Sequence, residues 1–298
     1  MKSSPKARTI GLNLVLWMGW LLSTAVFAQQ ANYPSADDAA SALVKAVRDG
    51  DQAAMAKVLG ANWKDFIPVE GIQREDVDLF LKRYDESHRI DDEKGKAHLE
   101  VGKDNWILPM PIVKNAAGWH FDMAGAKEEV RTRHIGANEL AAEQAMLAYY
   151  DAQRDYATED RDGDKVLQYA QRLISSPGKH DGLYWPTTGN EPESPLGPNF
   201  ASSAPGDGYH GYHFRILTAQ GPSAPGGAYN YMAGNRMTNG FALVAWPVRY
   251  GDTGVMTFMI SHDGEIFERD LGEHGAAQAQ AMKRFDPDSS WQEVQPTE

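Results

Sequence analysis

The stretch NELAAEQAMLAYYDAQRDY, residues 138–156, decides how this sequence folds. Leu140, Ala141, Gln144, Ala145, Leu147, Ala148, Ala152 and Tyr156 recur at helical spacing, which predicts a helix of about five turns with Asn138 as its cap. An apolar stripe of that length must lie against something. The candidates are downstream: YHGYHFRIL (209–217), AYNYM (228–232), GFALVAWPVRY (240–250), VMTFMIS (255–261) and EIFERDL (265–271) all read as strands. GDTG (251–254) and HDGE (262–265) between the last three read as hairpin turns. The expectation is a long helix laid along an antiparallel meander.

Working outward, the helix runs into YATEDRDGDKVLQYAQ, residues 156–171, where Asp160, Asp162 and Asp164 alternate around Gly163. As an ion site this is a partial match to the EF-hand loop: aligning Gly163 with the turn glycine puts Asp160 and Asp162 at ligand positions, with Thr158 and Tyr169 where a first carboxylate and a closing Glu belong. Ca²⁺ is the ion such oxygens suit, with Asp155 or Glu159 as further donors. The other reading is a turn, with Asp164 capping a short helix over KVLQYAQRLI (165–174) that SSPGK ends. Residues 181–205 are rich in Gly, Pro, Ser and Asn and contain GLYWP and ESPLGP, a loop long enough to be functional or mobile. Tyr184, Trp185, Tyr209 and His213 are the ligand-binding candidates there: exposed together, the aromatic rings offer a peptide or glycan a surface; buried, they anchor the loop.

Upstream, Ser35 followed by Asp38 reads as a helix start, and Ala39, Leu43, Ala46 and Val47 form its apolar face up to Gly50. A second helix is expected over 51–59 and a third over 74–86, with Val77, Phe80, Leu81 and Tyr84 on one side. After a charged turn DDEKGK (91–96), the segments AHLEVG, WILPMPIVKN and GWHFDMA suit an antiparallel sheet. The whole is α+β: N-terminal helices plus a small antiparallel sheet, then the long helix on its meander. The domains are expected over 29–124 and 125–298, after a segment 1–28 of separate character.

That segment carries Lys2, Lys6 and Arg8, an apolar run from Ile10 to Leu22, and Val26 and Ala28 before a cut at Gln29. It reads as a secretory signal peptide, too short in its apolar core to span a membrane stably, which places the mature chain in the periplasm or outside the cell. The full chain has formal charge −12, and the signal removes three cations and no acidic residue. An acidic mature chain argues against nucleic acid as a partner. With no cysteine in the sequence, disulfides and a cysteine nucleophile are both excluded.

Catalytic signatures are sparse. GPSAPGG around Ser223 has Pro225 where a nucleophile elbow needs glycine, and no Gly-rich loop joins a strand to a helix. His210 and His213, three apart on an expected strand, do not make a zinc site by themselves. The expected function is a non-catalytic binding or assembly protein of the cell envelope, with an envelope protein, a peptide or a glycan as partner. The alternative is a periplasmic hydrolase whose site is assembled from separate segments.

The runs RTRHIGANELAAEQAMLAYYDAQRDYATEDRDGD, SSPGKHDGLYWP, ESPLGP, YHGYHFRILTAQGPSAPGGAYNYM and GFALVAWPVRYGDTGVMTFMISHDGEIFERDLG together resemble the DUF2950 family of exported bacterial proteins, over nearly the whole mature chain. That resemblance implies export and no assigned activity. ALVKAVRDGDQAAMAKVL with a strand ending in GWHFD is similar to the NTF2-like superfamily, which implies a helix-lined cone for the first half. The second half resembles the head of type IV pilin-like proteins, without their apolar N-terminal helix.

Overall fold

The computed structural model describes residues 30–66, 74–161, 163–187, 192–198 and 208–295. The expected signal segment and Asp162 lie outside them. The chain divides into two compact units, one ending at Met123 and the other beginning at Ala124. Each combines helices with antiparallel sheet, which makes the fold α+β.

In the N-terminal unit α1 (Ala36–Asp49) starts where Ser35 Oγ accepts the Asp38 N–H at 3.0 Å and donates to the Asp38 carboxylate at 2.7 Å. This is a serine N-cap, with the Asp38 carboxylate held on the Ser35 hydroxyl in place of the backbone N–H that a full capping box uses. Its Ala39, Ala40, Leu43, Val44 and Ala46 are buried. Asp51 caps α2 (Gln52–Leu59) by accepting the N–H groups of Ala53 and Ala54. A single 3₁₀ turn at Trp63–Asp65 follows, then α3 (Arg74–Glu86). The strands are β1 (His88–Glu93), β2 (Lys96–Val101), β3 (Trp106–Ile107), β4 (Ile112–Asn115) and β5 (Gly118–Phe121), ordered β1-β2-β4-β5 with β3 on β2. Ala97, Leu99 and Val101 alternate along β2 with no exposed surface, and Ile112 and Phe121 continue that face across β4 and β5.

One segment departs from its sequence reading. DDEKGK is not a turn throughout: Asp91, Asp92 and Glu93 belong to β1, which pairs with β2 from His88↔Val101 to Glu93↔Lys96. The turn is Lys94–Gly95 alone, with φ of 57° and 88°, the two-residue hairpin that strand twist favours. Only Ile90 in β1 is even half-buried, so no alternation marks the strand, and its charges keep the edge from pairing with other chains.

In the C-terminal unit α4 (Met123–Tyr156) has 34 residues. It runs through Asn138, which is no cap. The Asn138 side chain is buried and its Nδ2 donates to the Thr253 carbonyl at 2.9 Å. Gly211, at φ 71°, leaves room for this: a Cβ there would come within 2.8 Å of Thr253 Cβ and 3.0 Å of Asn138 Nδ2. The buried face of α4 is Ala142, Ala145, Met146, Tyr149, Ala152 and Tyr156, while Leu140 and Leu147 are 49 % and 46 % exposed. The stripe expected from Leu140 is therefore turned by about 100°, one residue's rotation, from the face the core selects.

The main sheet is made of β6 (Tyr212–Leu217), β11 (Ala242–Pro247), β12 (Met256–Ser261), β13 (Ile266–Asp270) and β14 (Gln292–Glu293), ordered β14-β13-β12-β11-β6. Between β6 and β11 lie two small ribbons, β7 (Ala219–Gln220) with β8 (Tyr229–Asn230), and β9 (Met232–Ala233) with β10 (Arg236–Met237). Every residue of β11 is buried, as a central strand covered on both faces requires. Tyr149 and Met146 of α4 share one core with Leu243 and Phe258. α5 (Gly275–Ala281) packs on β11, and Phe285 meets Phe267 with ring centres 5.8 Å apart. Arg215 Nη2 donates to the Ala279 carbonyl at 2.8 Å and to the Met282 carbonyl, closing the C-terminal end of α5.

The helix expected over KVLQYAQRLI is absent; these residues are irregular, with isolated bridges at Tyr169 and Ile174. Their backbone is claimed from outside. The fully buried Gln153 of α4 accepts the Ala170 N–H and donates to the Ala170 carbonyl, both at 2.8 Å, and Tyr169 N donates to Met237 O at 2.7 Å. Two ladder-type bonds to one residue outweigh a marginal helix propensity in so short a segment.

Candidate functional site

The N-terminal unit contains a cavity of about 770 Å³, within the ~300–1,000 Å³ typical of small-molecule sites. Leu43, Ala46 and Val47 of α1 form one wall, and Met55 and Trp63 continue it. Leu108, Met110 and Trp106 approach from the sheet side, and Val77, Leu79 and Phe80 of α3 close the remainder. Leu79 and Trp106 stay 47 % and 36 % exposed, so the cavity reaches solvent on their side. The Phe80 and Trp106 rings meet edge to face at 6.4 Å.

The helix α3 is the unusual wall. It presents Val77, Phe80, Leu81 and Tyr84, yet none of its residues is buried. In α1, by contrast, six are. An amphipathic helix gains its stability by burying its apolar stripe; here Val77 and Phe80 border the cavity and stay half-buried, while Tyr84 stacks on His88 at 3.9 Å. The polar atoms on the lining are few: Gln52, Arg74, Asp76 and Arg83. Arg74 pairs with Asp78 at 3.2 Å and Arg83 with Asp104 at 2.9 Å.

The aspartate turn is tied up internally. The Asp160 carboxylate accepts the N–H groups of Gly163 and Lys165, each at 2.8 Å. Asp164 accepts the Val166 N–H at 2.9 Å and pairs with Arg236 at 2.6 Å. Among the described residues no group of three or more His, Asp or Glu is placed to hold a metal ion.

The loop aromatics have distinct placements. Trp185 is 2 % exposed, its Nε1 donates to the Pro192 carbonyl at 3.0 Å, and its ring stacks on His180 at 4.2 Å and lies 5.4 Å from the Arg161 guanidinium. Tyr184 is half-buried, and its backbone bonds to Leu173 and Ser175. Tyr209 lies 4.3 Å from the His210 ring, and His213 lies 5.5 Å from that of Trp246. The four candidates thus have separate neighbours, and no common face formed by them is seen among the described residues.

Two further groupings carry titratable side chains in the C-terminal unit. Glu139 and Glu143 on α4 lie near Glu268 on β13. Burial, then Glu268 and Glu139, push the Glu143 carboxyl above the usual range. Burial and Glu139 do the same to Glu268. Glu139 is committed to the β11–β12 turn, where its Oε1 accepts the N–H groups of Val255 and Met256 at 2.8 and 3.0 Å. Elsewhere the Tyr229 hydroxyl meets His262 Nε2 at 2.8 Å, and among the described residues the buried His262 Nδ1 has no partner.

The sequence placed Leu43, Ala46, Val47, Val77 and Phe80 on apolar helix faces but named none of them as a ligand contact. The signal of the cavity lies in Met55, Trp63, Trp106 and Met110, large adaptable or aromatic side chains that recur at the ends of the helices and strands of the first half.

No curated protein and no solved structure matches this chain. A family model described as "Protein of unknown function (DUF2950)" matches residues 30–294. With the match running from before the first helix to beyond the last strand, the chain belongs to the DUF2950 family.

Proposed function

We propose that this chain is an exported, non-catalytic binding protein whose N-terminal unit takes a small apolar molecule into its cavity. The observation that carries this reading is α3, a 13-residue helix with an apolar side and no buried residue, standing over a volume of about 770 Å³. A ligand there completes the helix's core and gains the hydrophobic term of its own burial. Helices layered on an antiparallel sheet around such a cavity fit the NTF2-like cone that the first half resembles. Export rests on the basic, apolar and small-residue sequence of 1–28. No helix among the described residues is long and apolar enough to cross a membrane, which is compatible with it. A peptide or glycan on Trp185 has less support, because that ring is committed to its own loop. The hydrolase alternative draws on Glu143 and Glu268, whose raised carboxyls are the ordinary precondition for acid catalysis.

The test is titration of the mature chain with the neutral fluorophore N-phenyl-1-naphthylamine. Saturable one-site binding is expected. It should weaken at least about tenfold in Leu79→Glu, which puts a charge on the lining at a position 47 % exposed, where substitutions cost folding little. Non-saturable binding, or equal binding by wild type and variant, overturns the proposal.

A further inference from the structure

The polar groups of the cavity point to the chemistry of its ligand. We infer that the ligand is an amphipathic carboxylic acid, its chain among Trp63, Phe80 and Trp106 and its head on the guanidinium of Arg83. This rests on the cavity being a binding site.

Among the lining groups, the cations are Arg74 and Arg83 and the anion is Asp76. Arg74 is 82 % exposed, so water and salt screen it; Arg83 is only 32 % exposed. Arg83 spends Nη2 on Asp104, and its Nε and Nη1 have no partner among the described residues. A guanidinium offers five N–H groups in a planar fork that matches a carboxylate with two parallel bonds. With one donor spent on Asp104 and an apolar wall beside it, most of the fork is unused. A neutral ligand leaves those donors unpaired; a cationic one meets like charge. An acid with an alkyl or aromatic body satisfies both the fork and the lining. Asp104 is 56 % exposed, so water screens its hold on the Arg83 charge.

The experiment displaces N-phenyl-1-naphthylamine from the mature chain with dodecanoate, dodecanol and dodecylamine at neutral pH. These share a chain and differ in the head. Dodecanoate is expected to bind about tenfold more tightly than dodecanol, and dodecylamine more weakly than either. Arg83→Met, which keeps the stem that packs near Gly102, should abolish the preference for the acid, bringing dodecanoate to the affinity of dodecanol or below it. Arg83→Lys should keep part of it, as a point charge without the fork. Equal binding of acid and alcohol by the wild type, or a preference that survives in Arg83→Met, overturns the assignment of the head while leaving the cavity as an apolar site. Failure of all three to displace the fluorophore overturns both.

Discussion

Single residues in this chain do unlike work from what their neighbours in sequence announce. Gln153 looks like a polar position on a helix, but it is fully buried and clamps Ala170 through both its amide atoms. Replacing it with Ala leaves a buried N–H and a buried C=O without partners. The expected loss is about 2–4 kcal/mol in denaturant unfolding, with faster amide exchange across 165–175. Glu143 works against folding at neutral pH. Its carboxyl is raised in the folded state, chiefly by burial, so the folded chain holds that proton more tightly than the unfolded one does. The linked stability is present below the ordinary carboxylate range and is lost as pH rises through the folded value. Glu143→Gln should raise the Tm by about 1–3 °C at pH 7, with the gap shrinking towards pH 4, and solvent screening keeps the effect that small. A Tm difference that grows on acidification would contradict the assignment. Local signals of this grain were legible where chemistry and chain neighbourhood coincide, as in the Ser35–Asp38 cap. Gln153 was not, because its partner lies seventeen residues on.

At the scale of elements, periodicity located the helices and strands but not always the face they bury. The run 138–156 is helical as expected, yet Leu140 and Leu147 face out and Met146 and Tyr149 face in. Alanine and glutamine fill both sides of this helix, so the apolar pattern is wide enough to allow either orientation, and the sheet chooses. Met146→Ala should cost about 2–5 kcal/mol, and Leu147→Ala less than about 1 kcal/mol, in chemical denaturation of the two variants. The reverse order would mean that the stripe read from the sequence is the packed one. The strand β1 and the missing helix at 165–174 have the same origin. Both segments take their conformation from a partner strand or side chain, and nothing in their own spacing records it.

For the whole molecule, two α+β units follow one another and carry different chemistry. The second closes its core on both faces of β11, and its loop aromatics serve that closure. The first keeps an unfilled volume. This difference was partly legible: the family resemblance rested on the glycine- and proline-rich motifs of the second half, and the match extends through the first. The cavity was not, since the pattern Val77, Phe80, Leu81, Tyr84 states that one side of α3 is apolar and is silent on what covers it. That bare helix has a practical corollary for handling the protein. With none of its side chains fully buried and its ion pairs exposed, α3 opens at lower cost than α1, and it offers Leu79, Phe80, Leu81 and Tyr84 to chymotrypsin. Limited digestion of the empty protein should nick there first, leaving α4 and the second unit uncut. Saturation with a cavity occupant should slow that nick at least about tenfold, turning a protease into a reporter of occupancy.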